Sequence, residues 1–278
     1  MIKTFIRLVY YLLYDIYSII RNLYNDHNFI IIIPRIVVPL IKRIFIYDKV
    51  NKKFFIQKIR NKYDILTVYE IFSVESYNLK RFRIWKNISE QYKNYKDKKL
   101  TPLIIDCGSN IGSSAEYFQR IFKESFIVLI EPEYQNFNFS RKNLYNINNN
   151  ILNLIISSLE KDYLFQNDFE DPRGSKVNQK TGVKTQSTTI NKILDDYPQN
   201  NYKPFLIKID IEGFESELFS KNLEWMDKFD IIIIEIHDWM LPKNSNSSNF
   251  INALSETMKK GNKRDLIISG ENLISIKI

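Results

Sequence analysis

The stretch from Leu103 to Gly112 constrains the fold of this chain more than any other. It reads Leu-Ile-Ile-Asp-Cys-Gly-Ser-Asn-Ile-Gly, an apolar run followed by an aspartate and a loop with two glycines. The pattern predicts a buried strand that ends at Asp106 and a helix that begins near Gly112. Glycine in such a turn accepts a positive φ and lets a ligand approach the backbone, while free N–H groups at the helix start favour polar or anionic groups. We therefore expect a ligand-binding loop here.

Strands and helices alternate along the chain that follows this loop. The predicted strands are 103–106, 126–131, 151–157, 205–210 and 230–236, and the predicted helices between them are 112–122, 134–145, 189–197 and 215–219. This order predicts an α/β fold with a mostly parallel, Rossmann-like sheet of seven strands. The last two strands, 265–269 and 273–278, flank a Gly-Glu-Asn turn, so they form a C-terminal antiparallel hairpin.

The chain is predicted to have three parts. Residues 1–62 form an N-terminal extension that is apolar and mostly helical. Residues 63–100 form a lead-in segment before the main domain, with irregular structure from 80 to 99, and residues 101–278 form the main domain itself. The segment 2–23 mixes apolar and aromatic residues with three basic ones. It either lies on an anionic membrane surface or packs on the main domain, and we favour packing.

Length and composition limit where the protein acts and what it binds. The apolar segments 2–23 and 29–46 both lack the uninterrupted length of a spanning helix. Arg7 and Asp15 interrupt the first segment, so we do not expect it to be a signal peptide of the usual form. We expect a cytoplasmic protein with, at most, peripheral membrane contact through the N-terminal segment. The net charge is +8, but no Lys/Arg block interleaves with aromatic residues, so nucleic acid is not an expected partner. The single cysteine, Cys107, is predicted to be a small buried residue that fills space in the core.

Acidic residues stand at the predicted carboxyl ends of four strands. They are Asp106, Glu131, Asp210 and Glu235. In an open α/β sheet, ligands bind at that edge, near the switch in strand order. Four such acids therefore predict a site there.

The loop after the first core strand distinguishes between two classes of cofactor. Asp106, Gly108, Asn110 and Gly112 form Asp-x-Gly-x-Asn-x-Gly, with Ser109 in the middle of the loop. A dinucleotide site would need Gly-x-Gly-x-x-Gly, and this spacing fails. S-adenosylmethionine (SAM) has no phosphate and carries a sulfonium cation, so it tolerates an acid beside the loop. The sequence therefore favours SAM over NAD.

Two further residues are predicted to bind this cofactor. Glu131 ends the second core strand in Leu-Ile-Glu-Pro-Glu, where its carboxylate can accept hydrogen bonds from both ribose hydroxyls. That role is shared with NAD sites. Ser157 stands where the third strand end would flank an adenine edge.

The predicted catalytic residues follow the fourth and fifth core strands. Lys-Ile-Asp-Ile-Glu-Gly-Phe-Glu places Asp210 and Glu212 together, where they serve either as a general base for a substrate hydroxyl or as oxygen ligands of a divalent metal. We assign no metal ligand. Glu215 reads as a helix N-terminal acid that interacts with the dipole. His237 ends the next strand and titrates near neutrality, which suits a general base, although histidines at strand ends are often structural.

The motifs Ile-Asp-Cys-Gly-Ser-Asn-Ile-Gly, Ile-Glu-Pro-Glu, Lys-Ile-Asp-Ile-Glu-Gly-Phe-Glu and Ile-Glu-Ile-His, in this order, resemble the FkbM family of SAM-dependent methyltransferases. The resemblance extends from about residue 64 to the C-terminus and implies a class I methyltransferase fold and O-methylation of hydroxyls on sugars or polyketides. It implies SAM contacts for Asp106, Gly108, Asn110, Gly112 and Glu131, and positions near the acceptor for Asp210, Glu212 and His237. Ser109 stands where the family often has alanine, and the first sixty residues match no known pattern.

These observations predict a SAM-dependent methyltransferase that methylates a hydroxyl on a sugar, a glycan or a related small molecule. Two alternatives stay open. One is an NAD-dependent oxidoreductase on a Rossmann-like fold, against which the loop spacing argues. The other is a non-catalytic, methyltransferase-like binding module, which would have little reason to keep all four strand-end acids.

Overall fold

The N-terminal hundred residues combine a long helix with a small sheet. The structure, a computed structural model, describes residues 2–25, 27–33, 37–166, 176–178, 182–238 and 246–278. The first elements are α1 (Ile2–Tyr24), β1 (Phe29–Ile31), α2 (Val38–Ile41), β2 (Arg43–Asp48), β3 (Lys53–Lys58), α3 (Lys62–Tyr69) and α4 (Trp85–Asp97). A π-helical turn, Glu70–Val74, continues α3. The helical extension is confirmed for α1, whereas β1, β2 and β3 form an antiparallel sheet.

The remaining elements alternate between strand and helix as the sequence predicts, except for the consecutive strands β6 to β10. They are β4 (Thr101–Cys107), α5 (Ser113–Ile121), β5 (Phe126–Ile130), α6 (Tyr134–Asn143), β6 (Asn149–Leu152), β7 (Ile155–Ile156), β8 (Asp162–Gln166), β9 (Lys176–Asn178), β10 (Val183–Thr188), α7 (Ile190–Asp195), β11 (Tyr202–Ile209), α8 (Glu215–Leu218), β12 (Ile231–Glu235), α9 (Asn246–Lys259), β13 (Arg264–Ser269) and β14 (Asn272–Lys277).

Seven of these strands form one sheet in the order β13-β14-β12-β11-β4-β5-β6. The pairs from β12 to β6 are parallel, and β14 runs antiparallel to both β12 and β13. The strand order reverses beside β4, which puts the predicted ligand loop at the switch point. The mostly parallel seven-stranded sheet with a C-terminal antiparallel hairpin is confirmed.

The sheet is covered on both faces. Its strands send alternate residues into two apolar clusters, one shared with α4, α5 and the N-terminal part, and the other with α7, α8 and α9. Aromatic rings connect the N-terminal part to the first cluster: the ring centroid of Phe29 lies 5.1 Å from that of Phe72 and 5.2 Å from that of Tyr117 in α5. The small sheet and the π-helical turn therefore pack on α5 of the main domain.

Two sequence predictions were wrong in detail. Residues 80–99 are not irregular, because α4 occupies 85–97 and buries Ile88 and Tyr95, which are seven residues apart on one helix face. The predicted strand 151–157 divides, since β6 joins the large sheet while β7 pairs with β10. The excursion from 160 to 184 forms antiparallel strands β8, β9 and β10 where it is described.

None of the helices within the described ranges is long and apolar enough to cross a membrane.

Candidate active site

A cavity opens at the carboxyl edge of the sheet, where β4, β5 and β11 end. It measures about 610 Å³ including its open mouth, and its walls include Gly108, Asn110, Glu131, Asp210 and Glu212. Its apolar side is formed by Ile155, Ile156 and Phe165. A polar edge facing an apolar wall suits a ligand that has a planar base at one end and polar groups at the other.

The glycines of the loop are required by packing against neighbouring segments. Gly108 has φ = 77°, and a Cβ there would lie 1.7 Å from the carbonyl oxygen of Asp210. Gly112 has φ = 85°, and its Cβ would lie 2.7 Å from the side chain of Leu144. Any side chain would therefore separate the loop from β11 and α6, whichever ligand binds. The sequence suggests that glycine is needed so that a ligand can approach the backbone, whereas the structure shows that glycine is needed for contact with neighbouring residues.

Glu131 is held rigidly beside this loop. The backbone N–H of Asn110 donates to its Oε2 at 2.7 Å, and the N–H of Glu133 donates to its Oε1 at 3.0 Å. Burial raises the pKa of Glu131 to about 7, although these hydrogen bonds favour the ionised form. Oε1 also accepts from Nδ2 of Asn136 at 3.4 Å, whereas Oε2 has one donor and retains a lone pair, so Glu131 can still accept a hydrogen bond from a hydroxyl in the cavity.

A buried lysine joins β4 to β11. Lys208 Nζ lies 3.3 Å from Asp106 Oδ1 and 3.1 Å from Asp210 Oδ2, and it donates to the carbonyl of Gly108 at 2.8 Å. Burial disfavours its charge, but Asp210 and Asp106 keep the pKa of Lys208 well above its usual range. Sequence reasoning did not count Lys208 as a site residue. The signal was available, because a lysine inside an apolar strand must have a partner.

Polar atoms in the loop remain available to a ligand. Among the residues described, the buried Oδ1 of Asn110 and Oγ of Ser109 have no hydrogen-bond partner, and neither does Oδ1 of Asp106 beyond its ion pair. Buried polar atoms are normally paired. These acceptors therefore fit a ligand with amino or hydroxyl donors, such as SAM.

His237 lies at the centre of a group of carboxylates. Its Nδ1 is 2.8 Å from Glu215 Oε1, and its Nε2 is 3.6 Å from Glu235 Oε1. The same Nε2 is 3.7 Å from both Asp210 and Glu212. Burial alone would lower the pKa of His237, but contacts with Glu215 and Glu235 raise it to about 11. His237 is therefore an imidazolium cation at neutral pH.

Two of the carboxylates around His237, those of Glu212 and Glu235, have raised pKa values. Burial, and then repulsion from Asp210, raises the pKa of Glu212 to about 8. Repulsion from Asp210, and then burial, raises the pKa of Glu235 to about 7. Glu212 also has φ = 53°, an uncommon conformation for a residue with a side chain, and Gly213 follows with φ = 88°. Such backbone strain is concentrated at functional sites.

The same residues could bind a metal. Asp210, Glu212 and His237 each offer a ligand atom, and the three atoms lie within 4.8 Å of one another. A metal at this position would need the imidazole nitrogen deprotonated. Without a metal, the protonated His237 supplies a positive charge at the same place.

The remaining predicted residues have defined places. Glu215 lies in the first turn of α8, as expected of a dipole-stabilising acid, but it is buried and contacts His237 directly. Ser157 Oγ donates to the carbonyl of Leu159 at 2.5 Å, and Ser157 is not part of the cavity wall, so its contact with adenine stays a prediction. Burial raises the pKa of the Cys107 thiol, which agrees with a filler role.

The order of the seven strands, the glycine loop after β4 and the acidic residues at the carboxyl edge of the sheet are those of a class I SAM-dependent methyltransferase. The family model for the methyltransferase FkbM domain matches residues 106–262. The match covers more than half of the chain, so this protein belongs to the FkbM methyltransferase family, and its cofactor is SAM. The NAD-dependent alternative is thereby set aside.

Solved structures of other methyltransferases are similar at low identity. A precorrin-6Y C5,15-methyltransferase from Geobacter metallireducens is 13% identical over 68% of this chain and 86% of its own, with a TM-score of 0.34. An O-methyltransferase from Bacillus cereus, solved with S-adenosylhomocysteine, is 10% identical over 79% and 91%, with a TM-score of 0.36. Likeness at this level decides neither activity nor acceptor. A search of curated proteins returned no match.

Proposed function

We propose that this protein transfers the methyl group of SAM to a hydroxyl oxygen of a sugar, a glycan or a related small molecule. The observation that carries the proposal is the carboxylate of Glu212, which lies on the cavity wall and has a pKa of about 8 beside a buried imidazolium. A group with that pKa can accept a proton near neutrality.

The residues around the β4 loop would hold the cofactor. SAM supplies an electrophilic methyl group when it is bound. Glu131 is positioned to accept hydrogen bonds from ribose hydroxyls, and the unpaired Oδ1 of Asn110 on the cavity wall can accept a hydrogen bond from an amino group. Asp106, which is buried behind the loop in its ion pair with Lys208, remains a proposed contact. Ile155 and Ile156 offer an apolar wall to the adenine ring. Ser157 remains a proposed contact at the adenine edge.

The acceptor side is built to receive hydrogen-bond donors. Asp210, Glu212 and Glu235 are acceptor-only groups when ionised, and all three lie within 3.7 Å of the same histidine nitrogen. A molecule with several hydroxyls presents donors to such a surface. This chemistry, together with the resemblance to enzymes that methylate sugars and polyketides, supports a polyhydroxyl acceptor.

Glu212 is the proposed general base. It takes the hydroxyl proton as the oxygen attacks, while Asp210 and Glu235 bind neighbouring donors. His237 keeps its proton and acts as a positioning residue, because its positive charge favours the ionised form of Glu212. Lys208 neutralises Asp106 and Asp210, so that the carboxylates can lie close together. Orientation of the acceptor oxygen supplies much of the rate acceleration.

A panel of acceptors tests the substrate class. Nucleotide sugars, free glycans and their deoxy analogues are incubated with SAM that carries a labelled methyl group. We expect label in at least one hydroxyl-bearing acceptor and none in the analogue that lacks that hydroxyl. Transfer to an amine or a carbon atom would contradict the proposal. SAM binding without transfer to any acceptor would favour the non-catalytic binding module.

A further inference from the structure

The long N-terminal helix is oriented with its polar face inward. Its buried residues Asp15, Ser18 and Asn22 are three to four positions apart and form one polar face. Among the residues whose side chains are described, the opposite face is exposed and carries large apolar or aromatic side chains, at Ile6, Tyr10, Leu13, Tyr17, Ile20 and Tyr24. A helix on the surface of a globular protein normally turns its apolar face toward the core. Here the arrangement is reversed.

Specific polar contacts fix this orientation. Ser18 Oγ lies 2.8 Å from Ser73 Oγ, and Asn22 Nδ2 donates to the carbonyl of Ser73 at 3.2 Å. Lys49 Nζ donates to the carbonyls of Asn22 and Asn25, at 3.0 and 2.9 Å, and so caps the end of α1. Rotating the helix to bury its apolar face would break all of these contacts. The outward apolar face is therefore built into the fold.

The composition of the exposed face favours a membrane interface. Three of its six residues, Tyr10, Tyr17 and Tyr24, are tyrosines, which have an apolar ring and a polar hydroxyl. Such side chains suit the boundary between lipid headgroups and acyl chains. A protein–protein seam of the same length would favour aliphatic side chains at these positions, whereas half of this face is tyrosine. At about 1.5 Å per residue, the helix would cover roughly 34 Å of such a surface.

The distribution of charge along the chain indicates which kind of membrane surface the helix would bind. Residues 1–100 contain 20 basic and 8 acidic side chains, whereas residues 101–278 contain 20 basic and 24 acidic ones. The excess of positive charge thus lies in the part of the chain that carries α1. Within α1 itself, the one acidic residue, Asp15, belongs to the buried face. Anionic lipids attract basic segments of this kind.

We propose that the exposed face of α1 binds an anionic membrane surface, with the helix lying in the plane of the interface. In this proposal the helix lies on the bilayer rather than across it, since no helix in the described part of the chain is both long and apolar enough to span a membrane. Its apolar side chains enter the headgroup region, while Ser18 and Asn22 tie the helix to Ser73 and so to the rest of the protein.

Vesicle sedimentation tests this proposal. The full chain is mixed with vesicles of phosphatidylcholine alone or of phosphatidylcholine with phosphatidylglycerol. We expect co-sedimentation with the anionic vesicles, and weakening of that binding by salt. The double variant Leu13→Glu/Tyr17→Glu is expected to bind roughly tenfold more weakly or worse, because two large apolar groups leave the interface. The matched control, Leu266→Glu/Ile268→Glu, changes two exposed residues of β13 and should bind as the wild type does.

Three results would overturn the proposal. The first is wild-type protein that stays in the supernatant with anionic vesicles, and the second is unchanged binding by the α1 variant. The third is a dimer, seen by analytical ultracentrifugation, that the α1 variant breaks while vesicles remain unbound; a second copy of the chain would then cover this face. Unchanged thermal unfolding and SAM binding of both variants would show that they fold.

Discussion

The Nδ1 atom of His237 lies 2.8 Å from Oε1 of Glu215, and both side chains are buried. This contact fixes the imidazole ring and leaves its Nε2 facing Asp210, Glu212 and Glu235. A histidine paired in this way carries a positive charge at neutral pH and cannot accept a further proton. We therefore assign the general base to one of the carboxylates. The pH dependence of the reaction follows from that assignment.

The first prediction concerns the pH profile of the wild-type protein. A base acts only when deprotonated, and the pKa of Glu212 is raised to about 8. We therefore expect kcat/KM to increase as the pH rises through about 8 and to level off above it, with Glu235 broadening the curve because its pKa is about 7. Glu212→Gln should lower kcat/KM roughly 100- to 10,000-fold and remove this limb. Retention of the limb in Glu212→Gln would assign the base elsewhere.

The second prediction separates the two roles considered for His237. The imidazolium favours the ionised form of Glu212, so His237→Gln should move the midpoint of the pH profile to higher pH without abolishing it. Complete loss of the limb, with Glu212→Gln still showing one, would make His237 the base.

A chelator provides the matching control for the histidine. If His237 supplies the positive charge, the wild-type activity should survive dialysis against EDTA. Activity that is lost on dialysis and restored by Mg²⁺ or Mn²⁺ would show that Asp210, Glu212 and His237 hold a metal instead.

The third prediction tests the cofactor site by calorimetry. Glu131→Ala removes the carboxylate that faces the cavity beside Asn110. We expect SAM affinity to fall roughly 10- to 100-fold, because hydrogen bonds to a charged group are worth about 1.5–3 kcal/mol. The control Glu124→Ala removes an exposed carboxylate outside the cavity and should not change the affinity. Equal affinities for the two variants would refute the proposed ribose contact.

The sequence predicted the main domain well because its signals are local. Apolar runs, a glycine turn and strand-end acids each depend on neighbouring residues, and they placed the strands and the acidic edge of the sheet. Lys208 and Glu215 were undervalued for the opposite reason. Their importance depends on partners 102 positions away at Asp106 and 22 positions away at His237, and only the paired strands bring those side chains together.

The N-terminal part shows a second limit of sequence reasoning. The amphipathic pattern of α1 indicates a helix with one apolar face, but it does not tell which face meets the protein. Ser73, on a π-helical turn far along the chain, decides the orientation by pairing with Ser18 and Asn22. The helix contacts Ser73 and Lys49 of the N-terminal hundred residues, and it does so through its polar side.

The fourth prediction concerns stability. Lys208→Met would leave Asp106 and Asp210 buried or half-buried without their shared cation, so we expect the free energy of unfolding to fall by about 3–5 kcal/mol. The double variant Lys208→Met/Asp106→Asn should recover part of this loss, because it also removes one of the stranded charges. Lys86→Met, at an exposed pair with Glu90, should change stability by less than about 1 kcal/mol. Urea unfolding measures all three, and a cost for Lys208→Met as small as that for Lys86→Met would contradict the account.

The most direct test of the central claim is to identify the acceptor atom to which the methyl group is transferred. Wild-type protein and Glu212→Gln are compared with isotopically labelled SAM and an acceptor from the panel, and the product is read by NMR. The account predicts a methyl ether on an acceptor hydroxyl, formed by the wild type and nearly absent with Glu212→Gln. A labelled N-methyl or C-methyl product, or equal yields from the two proteins, would contradict it.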